Sequence, residues 1–145
     1  MDKNLLKYGE WMKDLPECPP PNYKEVSITA YRWVFKDSGH PNNFTPRRMI
    51  RPDHVYRNAE LMCKAWGLSF FDNFAGARDR LNILLDKTPN IIKEVGDHIA
   101  TLSISPEDGI ASEPESKNYG HFTFFEYICT DFTSKATTSE PISAK

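Results

Sequence analysis

The sequence predicts a small α+β domain, in which a largely antiparallel sheet is flanked by helices. Two segments, residues 26–35 and 121–130, are rich in β-branched and aromatic residues, as strands are. Segments with helical spacing lie between them, without the regular strand–helix alternation of a parallel sheet. No glycine-rich phosphate-binding loop is present. Together these three observations favour the α+β class.

Length and composition suit one domain with an aromatic core. The chain has 145 residues, of which 39% are hydrophobic and 12% are aromatic, so a few large rings should fill the interior. The 18 basic and 20 acidic residues give a net charge of -2. This balance excludes a strongly basic nucleic-acid binder as the default interpretation, and we expect no nucleic-acid partner.

The N-terminal part, residues 1–21, is predicted to be a helix followed by a proline-rich connector. Apolar residues recur at helical spacing over residues 2–15, and Pro16 ends the pattern. The helix either packs on the domain or docks on a protein partner. Packing is favoured because a short isolated helix is marginal in water. Residues 22–132 then form the single α+β domain, and residues 133–145 form a flexible polar tail.

The elements of the domain follow from local patterns. After the first strand, residues 36–52 form a long polar loop of a length that is often functional. A helix should follow Pro52, with Asp53 as its N-cap and Val55 on its apolar face. A short buried strand over residues 65–71 comes next. A helix capped by Asp72 follows it.

The second half of the domain is predicted in the same way. Thr88 and Pro89 begin a short helix that Gly96 ends. A strand over residues 98–105, a tight turn over 106–109, a short strand over 109–112 and the strong strand over 121–130 complete the sheet.

The cysteines and histidines give no sign of a metal or a disulfide framework. Cys18, Cys63 and Cys129 are odd in number and far apart, and Cys63 falls on a predicted helix face as a core residue. The four histidines lack ligand spacing, so no metal is expected. The N-terminus lacks a signal-peptide pattern, and no apolar stretch is long enough to span a membrane. These features favour a reducing, cytoplasmic setting and no membrane partner.

Two charges interrupt otherwise apolar strand faces. Side chains alternate between the faces of a strand, which places Arg32 among aliphatic residues and Glu126 among phenylalanines and an isoleucine. An ionised group in such surroundings is costly unless it is paired or faces a wet cleft. One interpretation is therefore a structural Arg32–Glu126 pair, or charges that reach solvent at a sheet edge. The other is that both residues line one ligand cleft.

The cleft interpretation assigns a chemical role to six positions. Arg32 suits bidentate contact with a phosphate or carboxylate, and Glu126 could bind a hydroxyl or act as a base. Ser69 is either a small residue on a core strand or a group that orients a ligand. The basic loop residues Arg47 and Arg48 either contact the phosphates of a dinucleotide or nucleic acid, or are simply solvated. His121 lies either on the surface or at the mouth of the cleft.

The order of Arg32 in AYRWV, Ser69 in GLSFF and Glu126 in FFEYI resembles the ADP-ribosyltransferase-like fold. The resemblance covers roughly residues 26–130 in element order. It implies that Arg32 and Ser69 bind a nicotinamide dinucleotide, NAD, as substrate. It also implies that Glu126 is the catalytic group, which stabilises a cationic transition state.

The chain also departs from that family. It has no Ser-Thr-Ser run, and no glutamate lies two residues before Glu126. The sequence therefore leaves open whether the domain is an enzyme. The alternative is a non-catalytic protein-interaction module in which Arg32 and Glu126 form a structural pair and exposed aromatic residues dock on a partner.

Overall fold

A computed structural model of the chain describes residues 5–136 and 138–142. The strands are β1 Ile28–Val34, β2 Leu68–Phe71, β3 His98–Ile104, β4 Gly109–Ala111, β5 His121–Glu126 and β6 Thr138–Pro141. The α-helices are α1 Gly9–Met12, α2 Arg47–Ile50, α3 Ala59–Lys64, α4 Phe74–Lys87, α5 Ile92–Val95 and α6 Phe132–Lys135. Two 3-10 helices, Pro89–Ile91 and Ser116–Asn118, lie among them. None of the helices in these residues is long and apolar enough to cross a membrane.

The six strands form one antiparallel sheet in the order β4-β5-β2-β1-β3-β6. The α+β prediction is confirmed. All seven residues of β1 pair with β3, whereas the pairing of β1 with β2 is registered at Tyr31 opposite Phe71. All four residues of β2 pair with β5 on its other side. The centre of the sheet therefore has little strand pairing between β1 and β2, and Arg32 lies at this junction.

Aromatic rings fill both faces of the sheet, as the composition predicted. On one face, stacked and edge-on phenylalanines form the largest cluster; its rings belong to Phe70, Phe122, Phe124 and Phe132. On the other face, helix α4 buries Ala77 against Trp33 and Phe71. The indole Nε1 of Trp33 donates a hydrogen bond of 2.8 Å to the Ala77 carbonyl. Each face is thus covered by a helix, and the two clusters fix the orientation of the strands.

The helix expected after Asp53 begins later than predicted. The N-cap is Asn58, whose side chain accepts a hydrogen bond of 2.9 Å from the Leu61 amide. Val55, expected on the apolar face, is 87% exposed. The N-cap of α4 is likewise Asn73 and not Asp72, because the Asn73 side chain accepts from the Gly76 amide. The predicted polar loop over residues 36–52 also contains helix α2.

Part of the predicted C-terminal tail has regular secondary structure in helix α6 and strand β6. Asp131 caps helix α6, and Phe132 is 1% exposed within the phenylalanine cluster. β6 then pairs with β3 as an edge strand. Backbone hydrogen bonds to β3 and the buried ring of Phe132 stabilise this segment although most of its side chains are polar. Residue 137 and residues 143–145 of the predicted tail lie outside the described residues.

The N-terminal arm, which we define as residues 5–18, packs on the domain. Its helix is limited to α1, shorter than the predicted helix over residues 2–15, of which residues 2–4 are outside the described range. Met12 is buried beside Phe125 and Cys63. A β-bridge joins Leu6 to Tyr127. The arm therefore takes the packed position that the sequence favoured over docking.

A disulfide joins Cys18 to Cys63 across 45 positions of sequence. The prediction that the cysteines form no disulfide was wrong, because the fold brings the end of the arm onto helix α3 and no sequence spacing reveals that contact. Cys63 is nevertheless buried, as its helix face predicted. The disulfide removes the cysteine argument for a reducing, cytoplasmic setting. Cys129 is a free, exposed thiol.

Candidate functional site

Arg32 lies at the loose junction between β1 and β2. Its Nε donates a hydrogen bond of 2.7 Å to the Asn43 carbonyl, and its Nη1 donates one of 2.9 Å to the Ser69 carbonyl. The guanidinium also lies about 5.9 Å from the ring centroid of Phe44 and 5.8 Å from that of Phe70. Burial lowers the pKa of Arg32 to about 10, so the group keeps its charge at neutral pH. A cation is therefore held in place by two carbonyls and two rings.

Ser69 and His121 lie on the opposite face of the sheet from the phenylalanine cluster. The register pairs Ser69 with Thr123 and Phe71 with His121, which puts all four side chains on one face. The Ser69 hydroxyl and His121 Nε2 are 3.0 Å apart. Ser69 is exposed and lines the cavity described next, so its hydroxyl is accessible to a ligand.

Burial lowers the pKa of His121. Nearby cations act in the same direction as burial, and Glu115 opposes them; the cations are Lys64, Arg80 and Arg32. The imidazole ring also packs edge-on against Phe71, with the ring centroids 5.5 Å apart. His121 is consequently neutral at physiological pH and its ring is fixed in orientation.

A cavity of about 420 Å³ opens above these residues. Its floor is formed by sheet residues that include Arg32, Ser69 and His121. Its walls come from the loop around helix α2, the end of helix α3 and helix α5. The polar and charged residues of the walls include Thr45, Arg47, Tyr56, Lys64 and Glu94. The volume is in the range of small-molecule sites in proteins.

Two wall residues have unused polar groups. The Tyr56 hydroxyl is buried and has no hydrogen-bond partner within the part of the chain that the structure describes. Arg47 is exposed and makes no ion pair among residues 5–136 and 138–142. By contrast, Lys64 lies 3.5 Å from Glu60, and Arg51 pairs with Glu94. A buried hydroxyl and a free guanidinium are groups that a polar ligand could satisfy.

Arg48 lies outside the cavity lining. Its guanidinium lies 5.6 Å from the Trp66 ring centroid, and its Nη1 donates a hydrogen bond of 2.7 Å to the Pro52 carbonyl. Of the two loop arginines predicted to contact a ligand, the structure therefore brings Arg47 to the cavity and Arg48 to an aromatic surface.

Glu126 is the last residue of β5, and it does not line the cavity. Its side chain is 2% exposed and accepts a hydrogen bond of 2.8 Å from Lys7 Nζ. Among the described residues no ion pair joins Glu126 to Arg32, although each group feels the charge of the other. Burial raises the pKa of Glu126, and the Lys7 ammonium opposes this shift. The ion pair at this position is Lys7–Glu126.

The structure thus brings together four of the residues predicted to bind a ligand: Arg32, Ser69, His121 and Arg47. It adds Tyr56 and Lys64, which the sequence did not single out. A tyrosine in a polar loop and a lysine at a helix end look like ordinary surface residues. Their position over β2 and β5 depends on how the chain from residue 42 to residue 67 folds back on the sheet.

No group of three or more His, Cys, Asp or Glu side chains suited to a metal ion occurs within the described ranges 5–136 and 138–142. Comparisons of the chain with protein-family models, curated proteins and solved structures found no match. The chemistry of the cavity is therefore argued from its own residues.

Proposed function

We propose that this protein binds a phosphate-bearing small molecule of nucleotide size in the cavity above Arg32, Ser69 and His121. The observation that carries the proposal is the charge of the lining. Arg32, Arg47 and Lys64 contribute cations, whereas Glu94 is the acidic residue of the lining and pairs with Arg51. Arginine and lysine are the side chains that recognise phosphate.

The neutral groups of the cavity suit the rest of such a ligand. The buried Tyr56 hydroxyl has no hydrogen-bond partner among the described residues, and Ser69 and Thr45 add further hydroxyls. Trp33 and Leu61 add apolar surface for a base or another ring. The nicotinamide dinucleotide implied by the family resemblance is one molecule of this class, and it is the first that we would test. The proposal is for binding, because the carboxylate of Glu126 points to Lys7 outside the lining.

Calorimetric titration with the oxidised dinucleotide, ADP and inorganic pyrophosphate tests this proposal, with the uncharged nucleoside adenosine as the ligand control. Arg47→Gln and Lys64→Gln should each weaken binding roughly tenfold, since each removes a charge-assisted contact. The matched control is Lys87→Gln, at the exposed end of helix α4 outside the lining. Absence of binding by all three phosphate compounds at millimolar concentration would overturn the proposal, as would equal affinity in the control and the two cavity variants.

The alternative predicted from the sequence, a protein-interaction module, has one supporting feature. Trp11 is 57% exposed, stacked on Trp66 at 5.6 Å between ring centroids. However, the arm already packs on the domain. Met12 is buried there, and Lys7 forms an ion pair with Glu126. The exposed ring of Trp11 offers less surface than a free helix would, so ligand binding is the function we propose.

A further inference from the structure

Ser69 and His121 have the geometry of a nucleophile and its base. Their Oγ and Nε2 atoms are 3.0 Å apart, within the range seen for serine–histidine pairs that react. Both residues line the cavity, and Ser69 is exposed, so a substrate could reach its hydroxyl. The neighbouring strands β2 and β5 fix the two backbones relative to each other.

The surroundings of His121 suit proton transfer. A base must be neutral to accept a proton, and burial keeps the imidazole in that form. Contact with the Phe71 ring limits rotation of the imidazole. In the tautomer that carries its proton on Nδ1, Nε2 faces the Ser69 hydroxyl as a proton acceptor.

Arg32 provides a fixed positive charge next to the same serine. Its Nη1 is 2.9 Å from the Ser69 carbonyl oxygen, and its Nε is bound to the Asn43 carbonyl. The guanidinium lines the cavity and is held before any ligand arrives. The charge of Arg32 acts with burial to lower the pKa of His121, which favours the neutral imidazole.

We propose that Ser69 is a nucleophile that hydrolyses a carboxylic ester, with His121 as its general base. The choice of an ester of a phosphate-bearing molecule rests on the proposed function, in which Arg47 and Lys64 hold the phosphate. The assignment of the nucleophile does not depend on that choice.

The reaction requires water as its only co-reactant. Ser69 Oγ attacks the carbonyl carbon while His121 Nε2 takes the hydroxyl proton. The bond from the carbonyl carbon to the alkoxy oxygen breaks, and His121 gives its proton to the departing alcohol. Water then attacks the acyl-serine, His121 accepts a proton from that water, and the acid leaves as Ser69 recovers its proton.

Labelling with a small alkyl fluorophosphonate tests the nucleophile directly, because this reagent phosphonylates activated serines. We expect one added phosphonyl group on the wild-type chain, located on Ser69 by peptide mass mapping. Ser69→Ala should abolish it, and His121→Gln should slow it on the order of 100-fold. The matched control is Ser103→Ala, an exposed serine on β3 outside the lining, which should be labelled at Ser69 as the wild type is.

Hydrolysis of p-nitrophenyl acetate and circular dichroism of each variant complete the test. A folded wild-type chain that takes no label, or takes it at the same rate in His121→Gln, would overturn the proposal. The result is separable from that of the proposed function. Binding of ADP without labelling of Ser69 would overturn only the assignment of the nucleophile. Labelling of Ser69 without binding of any phosphate compound would overturn only the proposed class of ligand.

Discussion

The surroundings of Glu126 determine how much free energy its ionisation costs in the folded state. The carboxyl is buried beneath the N-terminal arm, and its Oε1 has no partner within the described chain. Lys7 Nζ provides the compensating charge and also donates a hydrogen bond of 2.7 Å to the Thr130 carbonyl. Because burial raises the pKa of Glu126, the folded state holds this proton at pH values where the unfolded state has lost it.

Replacement of Lys7 by methionine should lower the free energy of unfolding by about 3 kcal/mol at neutral pH. This is the low end of the cost of breaking a buried pair, since Lys7 itself is partly exposed. The loss should grow as pH rises through the folded-state pKa of the carboxyl, which lies above 4.5, because the unfolded state ionises alike in the wild type and the variant. Below pH 4.5 both states are protonated and most of the charge penalty disappears. Urea unfolding of the variant from pH 4 to 7 measures this trend.

The double variant Lys7→Met with Glu126→Gln is the control for this prediction. It removes both charges, so it should recover part of the stability lost at neutral pH and should show a flatter pH profile. An equal loss at pH 4 and pH 7 in Lys7→Met would contradict the charge explanation and assign the effect to packing and to the bond with Thr130.

At the scale of the elements, alternation predicted strands better than caps predicted helices. β1, β2, β3 and β5 lie within their predicted segments because alternating β-branched and aromatic residues have a direct physical meaning on a pleated strand. Helix α3 was misplaced because Asp53 and Asn58 are both good N-caps. The choice depends on the burial of Cys63 against Met12, a contact 51 positions apart in sequence that no local pattern contains.

The candidate site was predictable in part for the same reason. Alternation correctly placed Arg32 and Glu126 on one face of the sheet. It could not reveal that Arg32 reaches through the β1–β2 junction towards Ser69, or that the arm supplies Lys7 to Glu126. Both facts depend on strand order and on long-range packing, which one-dimensional spacing does not encode.

Gly96 ends helix α5 beside the cavity and provides a test of local backbone geometry. Its φ is +81°, and a Cβ at this position would lie 2.1 Å from the Val34 carbonyl oxygen. Gly96→Ala should therefore lower the free energy of unfolding by roughly 1–3 kcal/mol through backbone strain and this contact. Guanidinium unfolding measures the loss. The control is Gly39→Ala, where a Cβ would meet its nearest atom at 3.5 Å. Equal losses in the two variants would contradict the explanation.

At the scale of the whole molecule, the net charge of -2 conceals an uneven distribution. Cations gather around the cavity, while the N-terminal arm covers the end of β5 and pairs Lys7 with the buried carboxylate of Glu126. The Lys7–Glu126 ion pair links the arm to the domain near its start, and the Cys18–Cys63 disulfide links it at its end. The disulfide joins the arm to helix α3, and this helix contributes Leu61 and Lys64 to the cavity wall.

Reduction of this disulfide should destabilise the whole domain. In the chain-entropy description, opening a loop of 45 positions costs on the order of 4 kcal/mol, and native strain or residual structure commonly reduces the loss to about 2–4 kcal/mol. Helix α3 has only six residues and is marginal alone, so it should also lose amide protection first. Urea unfolding and hydrogen exchange of the oxidised chain, the reduced chain and the Cys18→Ser variant measure both effects. Cys129→Ser, at the exposed free thiol, should match the oxidised wild type. Equal urea midpoints for the oxidised and fully reduced chains would show that packing of Met12 and the Lys7–Glu126 pair hold the arm without the disulfide.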